Sequence, residues 1–434
     1  MSELSTEPII QAYFDQENIL AKHQLESFDD YIENILPNIL KQYNPIVVEL
    51  DNESEKDIRI KNIKMHLLTD TIIIEDCLYS ENNGVKNILY PDIANRRNYS
   101  YTSNILIDIY IEIDIFDEIN NIIKLPSKIL HKIYIGKIPI MVGSKYCMTT
   151  KYDKSLKCKY DIGGYFIING NEKVVISQEK IAPNIVQVFE SKKDKFSLNA
   201  EIRSVNENLF GIPKCISIQI TNNPDIYNNE IYINIPNVSN NIPIFIIFKL
   251  LGCISDKEIL YNIIDNSIPE IDDIMTNILL PSFEKCIDIK NELDAYRYLI
   301  KNMNIYQNIT EEKKIEYINK NVINNILPHI SDRNTKVLYL GYMINKLLKC
   351  LLKIDVLSDR DNYLHKRIET PGVLIGNITY LCYNKIFKDS KVLIKNEIIK
   401  NQIIEKDLNK IDYISDIINY NNINKIIKPI YLES

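Results

Sequence analysis

Residues 359–367, Asp-Arg-Asp-Asn-Tyr-Leu-His-Lys-Arg, set two carboxylates and three cations around one histidine. Asp359 and Asp361, two positions apart, have a spacing that could hold Mg²⁺, an ion usually bound by one or two carboxylates plus substrate phosphates. Arg360, Lys366 and Arg367 in the same segment can instead neutralise those carboxylates in ion pairs, and a salt-bridge cluster is the more economical reading on residue types alone. No His-x-x-x-His pattern, Gly-x-x-x-x-Gly-Lys-Ser/Thr loop or Gly-x-Gly-x-x-Gly occurs, which removes support for a zincin, a P-loop NTPase or a dinucleotide enzyme.

Cations cluster elsewhere too. Lys145, Lys151, Lys154, Lys157 and Lys159 crowd one polar stretch, and Lys173, Lys180, Lys192, Lys193 and Lys195 follow. Against them stands a net charge of −7, which argues against a generally basic nucleic-acid binder. The eight cysteines are scattered with no Cys-x-x-Cys, so neither a zinc ribbon nor a disulfide framework is indicated. The start, MSELSTEPII, lacks the basic and apolar regions of a signal peptide, and no stretch approaches the ~18 apolar residues that a bilayer span needs. An intracellular, non-secreted chain with no membrane partner is expected.

The elements that must position these groups are legible in places. Leu25, Phe28, Ile32, Ile35 and Ile39 share one face of an amphipathic helix, with a kink expected near Pro37. Ile105 to Ile115 alternate with Leu106, Asp108, Tyr110, Glu112 and Asp114, the period of a half-buried strand. Asn169-Gly170 separates the apolar runs 165–168 and 174–176, which predicts a hairpin with Phe166, Ile168, Val174 and Ile176 in the core. Glu172, Lys173, Gln178 and Glu179 form its polar remainder. After a charged break at 190–195, strands are expected at 197–203, 215–220 and 230–235. Helical periodicity then dominates from Pro243, with Gly252 beyond the end of the first helix. Arg96 and Arg97 beside Tyr99 and Tyr101 suggest base stacking next to phosphate contacts.

Several blocks, in order, resemble the N-terminal third of the second-largest subunit of multi-subunit DNA-directed RNA polymerases, in the eukaryotic RNA polymerase II form. They are His23-Gln24-Leu25 with Ser27-Phe28-Asp29, residues 91–103 (PDIANRRNYSYTS), 135–141 (IGKIPIM), 144–147 (SKYC) and 161–184 around the hairpin. Residues 200–204 (AEIRS), 327–330 (LPHI), 341–348 (GYMINKLL) and 359–367 continue the series. The heavy use of isoleucine and asparagine suits an AT-rich genome, such as that of a large DNA virus or a protist.

The resemblance implies an α+β fold: a discontinuous protrusion domain of mixed sheet and helices, 1–192 and 367–434, with an α+β lobe inserted at 193–366. The last ~65 residues would then pack back on the first domain. It implies that residues 359–367 face the DNA cleft. Arg360, Lys366 and Arg367 would meet phosphate, Asp361 would accept a hydrogen bond or orient an arginine, and Lys173 and Arg203 would be further DNA contacts. His365 departs from the small or amide residue usual at its place. For Arg96 and Arg97 the resemblance implies a structural role instead, a packed strand edge. No catalytic residue and no cofactor is implied for this segment; Mg²⁺ and nucleotidyl transfer belong to the assembled polymerase, and the isolated chain should be inactive. The implied partners are the largest polymerase subunit, the remainder of the second-largest subunit, template and non-template DNA, and transcription factors at the lobe. The implied place is the nucleus, or a cytoplasmic viral factory or virion. The family's fork, hybrid-binding, wall and clamp-anchor segments would lie beyond residue 434, and a split gene, a fragment and an interrupted gene all fit that. The alternative is a stand-alone interaction module descended from the subunit, binding transcription factors; an independent nuclease built on Asp359 and Asp361 is disfavoured.

Overall fold

The alternating isoleucines do form a strand, β3 (Thr102–Phe116), and it lies at the centre of a five-stranded antiparallel sheet. The other members are β1 (Ile46–Glu49), β2 (Ile60–Ile74), β4 (Ile122–Lys124) and β5 (Lys128–Pro139). Ile109, Ile111 and Ile113 pair in register with Leu67, Met65 and Ile63, and all six are buried. The opposite face carries Lys64 opposite Glu112 and His66 opposite Tyr110. Each such buried isoleucine contributes about 1.5–3 kcal/mol, so a slip by one residue would exchange the apolar face for the charged one.

The computed structural model describes residues 6–16, 19–49, 60–81, 84–116, 122–124, 127–152, 158, 160–192, 194–207, 209–238, 240–264, 268–303 and 310–400. Lys154, Lys157, Lys159, Lys193 and the stretch beyond residue 400 lie outside that set. The chain divides into two compact units, Met1–Gln178 with Ile368–Ser434, and Glu179–Arg367. The division falls earlier than the break expected after residue 192, because the strand Gln187–Glu190 pairs with Phe196–Ser204 inside the second unit.

In the first unit the predicted amphipathic helix is present, and its five apolar residues are all buried. It runs as Lys22–Asp30, a π-helical turn Tyr31–Ile35, then Leu36–Lys41. Pro37 accounts for the turn: it has no N–H to donate and its ring crowds the carbonyl four residues back, and a wider turn relieves both. The helix Pro371–Lys400 packs against this element. Tyr31, fully buried, meets Thr379 Oγ1 at 2.9 Å; because Thr379 already donates to the Ile375 carbonyl, Tyr31 is the donor. Burial pushes its phenol up to about 12. Gly372 allows the contact to close, since a Cβ there would overlap the Ser27 carbonyl oxygen.

The hairpin forms over β6 (Phe166–Ile168) and β7 (Asn171–Lys173), with Asn169 and Gly170 both at positive φ, as a tight two-residue turn requires. Its core is smaller than expected. Phe166 is buried, but Val174 and Ile176 are 60% and 77% exposed. The ladder ends where Lys173 pairs with Phe166, so the residues that follow have no partner strand to set an inward face. The two arginines of the 91–103 block sit on a short helix and its end, not on a strand edge: Arg96 pairs with Asp92 within Pro91–Arg96, and Arg97 lies over the Tyr79 ring. Among the described residues, no helix is long and apolar enough to cross a membrane.

The second unit opens with β8 (Gln178–Ile181) and a five-stranded antiparallel sheet in sequential order: β9 (Gln187–Glu190), β10 (Phe196–Ser204), β11 (Lys214–Thr221), β12 (Ile231–Asn234) and β13 (Ile242–Pro243). Among the described residues, six α-helices follow, from Ile244–Leu250 to Arg333–Leu351. The first is buried on all sides, as its sequence IFIIFKL demands; Lys249 is accommodated because its ammonium donates to the carbonyls of Ile289 and Cys286. One face of β10 (Leu198, Ala200, Ile202) joins Val337, Leu340, Ile344 and Leu348 of the last helix in a single core. The strand's other face is free to hold polar groups.

Candidate functional site

Residues 358–362 owe their shape to short polar side chains, and a single 3-10 turn, Tyr363–His365, follows them. Asp359 Oδ1 accepts the amide of Asp361 at 2.9 Å and Asn362 Oδ1 accepts that of Leu364 at 3.0 Å, two successive side-chain-closed turns. Ser358 anchors the segment by exchanging hydrogen bonds with the Val188 backbone of β9. Downstream, Ala182 N donates to the His365 carbonyl, and the chain enters β14 (Lys366–Glu369), which pairs with β8.

These turns decide what each predicted residue can do. The Asp361 side chain is 96% exposed, and Asp359 is spent on the Asp361 amide. Among the described residues, no three His, Cys, Asp or Glu side chains converge into a ligand set for a metal ion. Lys366 is tied to Glu179 at 2.5 Å and lies 4.0 Å from Asp361; its hydrogen bond to Glu179 holds the ammonium above its ordinary range. Arg367 turns its guanidinium back on its own backbone, donating to the carbonyls of Lys366 (2.7 Å) and Leu364 (3.3 Å). Lys173 is exposed at the end of the hairpin in the first unit.

Arg203 and Arg360 differ from the rest. Strand alternation places Glu201 and Arg203 on the face of β10 that points away from the core, and Arg203 Nε lies 3.7 Å from Glu201 Oε1. Arg360 reaches the same carboxylate, Nη2 being 3.9 Å from Oε2, while its guanidinium stacks over Phe189 at 4.1 Å. Those separations are ion-pair distances too long for hydrogen bonds, so among the described residues neither guanidinium donates to a protein oxygen. Both are about half exposed. Cys215, opposite Arg203 in register, donates to Glu201 Oε1 at 3.4 Å; burial and then the Glu201 charge push its thiol up to about 11 and keep it a donor.

A second tier holds Arg203 in place. Its carbonyl accepts the amide of Asn184, whose carbonyl in turn accepts the Tyr339 hydroxyl. Buried Ser204 meets His329 Nδ1 at 2.6 Å, and His329 lies edge-on to Tyr339 at 5.1 Å. Blocks 200–204 and 327–330, far apart in sequence, thus meet beside Arg203. Desolvation holds the His329 imidazole below the usual histidine range, with Glu207 opposing and Lys336 reinforcing the shift. An unfolded histidine titrates near ~6.5, so between that value and the lower folded one the unfolded chain binds more protons. Stability of the second unit should therefore fall as pH drops below about 6.5. Hydrogen exchange in Arg333–Leu351 followed against pH checks this, and His329→Gln should flatten the dependence.

Sequence reasoning named Arg203 and Arg360, and Glu179 only as part of the hairpin's polar remainder, but missed Glu201 and Phe189. Glu201 was available from period two alone, as the residue two before Arg203. Phe189 and Glu179 required knowing which strands meet residues 358–367.

Comparison with known proteins identifies the family of the chain. A family model described as RNA polymerase beta subunit matches residues 19–413. DNA-directed RNA polymerase II subunit 2 of Arabidopsis thaliana is 30% identical over 403 residues, covering 88% of this chain and 33% of the relative. DNA-directed RNA polymerase II subunit RPB2 of Eremothecium gossypii is 32% identical, with 88% and 32% covered. DNA-directed RNA polymerase subunit 2 of Acanthamoeba polyphaga mimivirus is 30% identical over 426 residues, with 91% and 34% covered. The chain spans about a third of the length of these curated relatives. It belongs to the RNA polymerase beta subunit family, as a homologue of the N-terminal region of the second-largest subunit of DNA-directed RNA polymerase.

Proposed function

We propose that this chain contributes one wall of the DNA path in an assembled DNA-directed RNA polymerase, with the first unit in the role of the protrusion and the second in that of the lobe. The observation that carries the reading is the pair Arg203 and Arg360, two guanidinia that donate to no protein oxygen among the described residues, on one solvent-facing surface of a chain matched over residues 19–413 to the polymerase family. Guanidinium forks suit phosphate, and phosphate contacts fix the position of a duplex without reading its sequence. Arg360 is the better preorganised of the two, since stacking on Phe189 limits its rotamers.

Nucleotidyl transfer, and the Mg²⁺ that serves it, would be supplied by residues outside this chain. Its partners would be the largest subunit, the polypeptide corresponding to the other two-thirds of the relatives, and both DNA strands. Transcription factors would meet the second unit, and the whole would act wherever that polymerase transcribes. The test is site-specific photocrosslinking in the reconstituted polymerase on a DNA template. A crosslinker at position 360 should label DNA, whereas one at position 261, where Tyr261 is 74% exposed on a helix of the second unit, should not. Absence of DNA adducts from position 360 would contradict the reading.

A further inference from the structure

The surface around Glu201 gathers several donors, alongside the buried Asn199 Oδ1 on the same face of β10, which has no donor among the described residues. Arg203 and Arg360 face its two carboxylate oxygens, and the Cys215 thiol donates to one of them. Gln187 lies opposite Glu201 in the β9–β10 register; its side chain is 5% exposed, and its Nε2 has no acceptor among the described residues. A buried amide donor without a partner is costly and calls for an explanation. Two guanidinia beside one carboxylate suit negative charge, and Glu201 supplies it to them only at ion-pair distance while accepting a hydrogen bond from the Cys215 thiol.

We propose that Glu201 is an internal substitute for phosphate: in the free chain its carboxylate occupies the arginine pair, and a phosphodiester oxygen takes its place when nucleic acid arrives. This rests on the reading of Arg203 and Arg360 as phosphate-facing. Two roles follow for the carboxylate. It keeps two like charges convergent before the ligand is present, and it sets a threshold that weak, non-specific anions do not overcome. A negative charge beside two positive ones also lowers the net number of phosphates the pair neutralises, so the carboxylate restrains non-specific affinity on a chain that must release and re-engage DNA as it moves.

The test uses the full-length chain and a fluorescein-labelled 20-base-pair duplex, with binding measured by anisotropy over a salt series. Glu201→Gln, which keeps the shape and removes the charge, should tighten binding about three- to tenfold at low salt and steepen the log K against log salt slope by about 0.9. Glu201→Asp withdraws the carboxylate by one methylene and should move affinity in the same direction by less. In an Arg203→Ala/Arg360→Ala background, Glu201→Gln should bring no gain. If the double arginine variant weakens binding while neither Glu201 variant tightens it, the substitution of phosphate for Glu201 is wrong and the phosphate-facing reading stands. If the double arginine variant binds like the wild type, both fall together. Thermal melts identify any variant that has lost its fold, and Glu201→Asp decides the matter if Glu201→Gln has.

Discussion

Gly341→Ala is expected to destabilise the second unit by at least about 1–3 kcal/mol, the usual cost of forcing extra volume into a packed contact, with Gly341→Val costing more. The helix Arg333–Leu351 passes so close to Asp256–Ile263 that a Cβ on Gly341 would overlap the Asn262 carbonyl oxygen, and that oxygen is backbone. Asn345, one turn on, donates to the Ile263 carbonyl at 2.8 Å, so the two helices are tied as well as close. Relief would require separating helices that close the core beneath β10, which is why the loss should reach Arg203. Urea unfolding followed by hydrogen exchange in Arg333–Leu351 would measure it. A shift of less than ~0.5 kcal/mol, the range of an ordinary surface substitution, would show that the helices can part at no cost.

Removing both guanidinia, Arg203→Ala with Arg360→Ala, should weaken binding of the full-length chain to a DNA duplex at least about tenfold near 0.1 M salt and flatten its salt dependence by about one to two phosphate contacts. Lys366→Ala and Arg367→Ala should each change affinity less than about twofold, because Lys366 is already compensated by Glu179 and Arg367 is held back on its own backbone, Nη1 donating to the Leu364 and Lys366 carbonyls. The contrast matters more than either number. Composition alone ranks the four cations equally; their partners in the fold separate them. Equal losses from all four would mean that the ion pairs of the free chain do not govern which cations meet phosphate.

What the sequence disclosed, and what it withheld, follows from the range of the interactions involved. Period-two alternation in 105–113 and the Asn169-Gly170 turn are local, and both appear as read. The core assignment of Val174 and Ile176 failed because their burial depended on a ladder that continued past Lys173, where the observed one ends. Pro37 announced a disturbance in its helix but not its form, a π-helical turn on the N-terminal side. The strand Gln187–Glu190 was assigned to the first region by its position in the chain, yet its pairing with Phe196–Ser204 belongs to the second. The same non-local pairing hid the functional geometry: Arg360 meets Glu201 and Phe189 only because residues 358–367 are pinned to that strand through Ser358 and Val188. Motif resemblance singled out residues 200–204 and 359–367 separately; the fold joins them.

The measurement that bears most directly on the central claim is affinity purification of the tagged chain from the cell or infection that produces it, with mass spectrometry of what accompanies it. The account predicts stoichiometric recovery of a largest polymerase subunit together with sequence corresponding to the remaining two-thirds of the second-largest subunit, and DNA-templated RNA synthesis by the recovered assembly. Recovery of transcription factors without any polymerase subunit would contradict it and would make the chain an interaction module of the same descent.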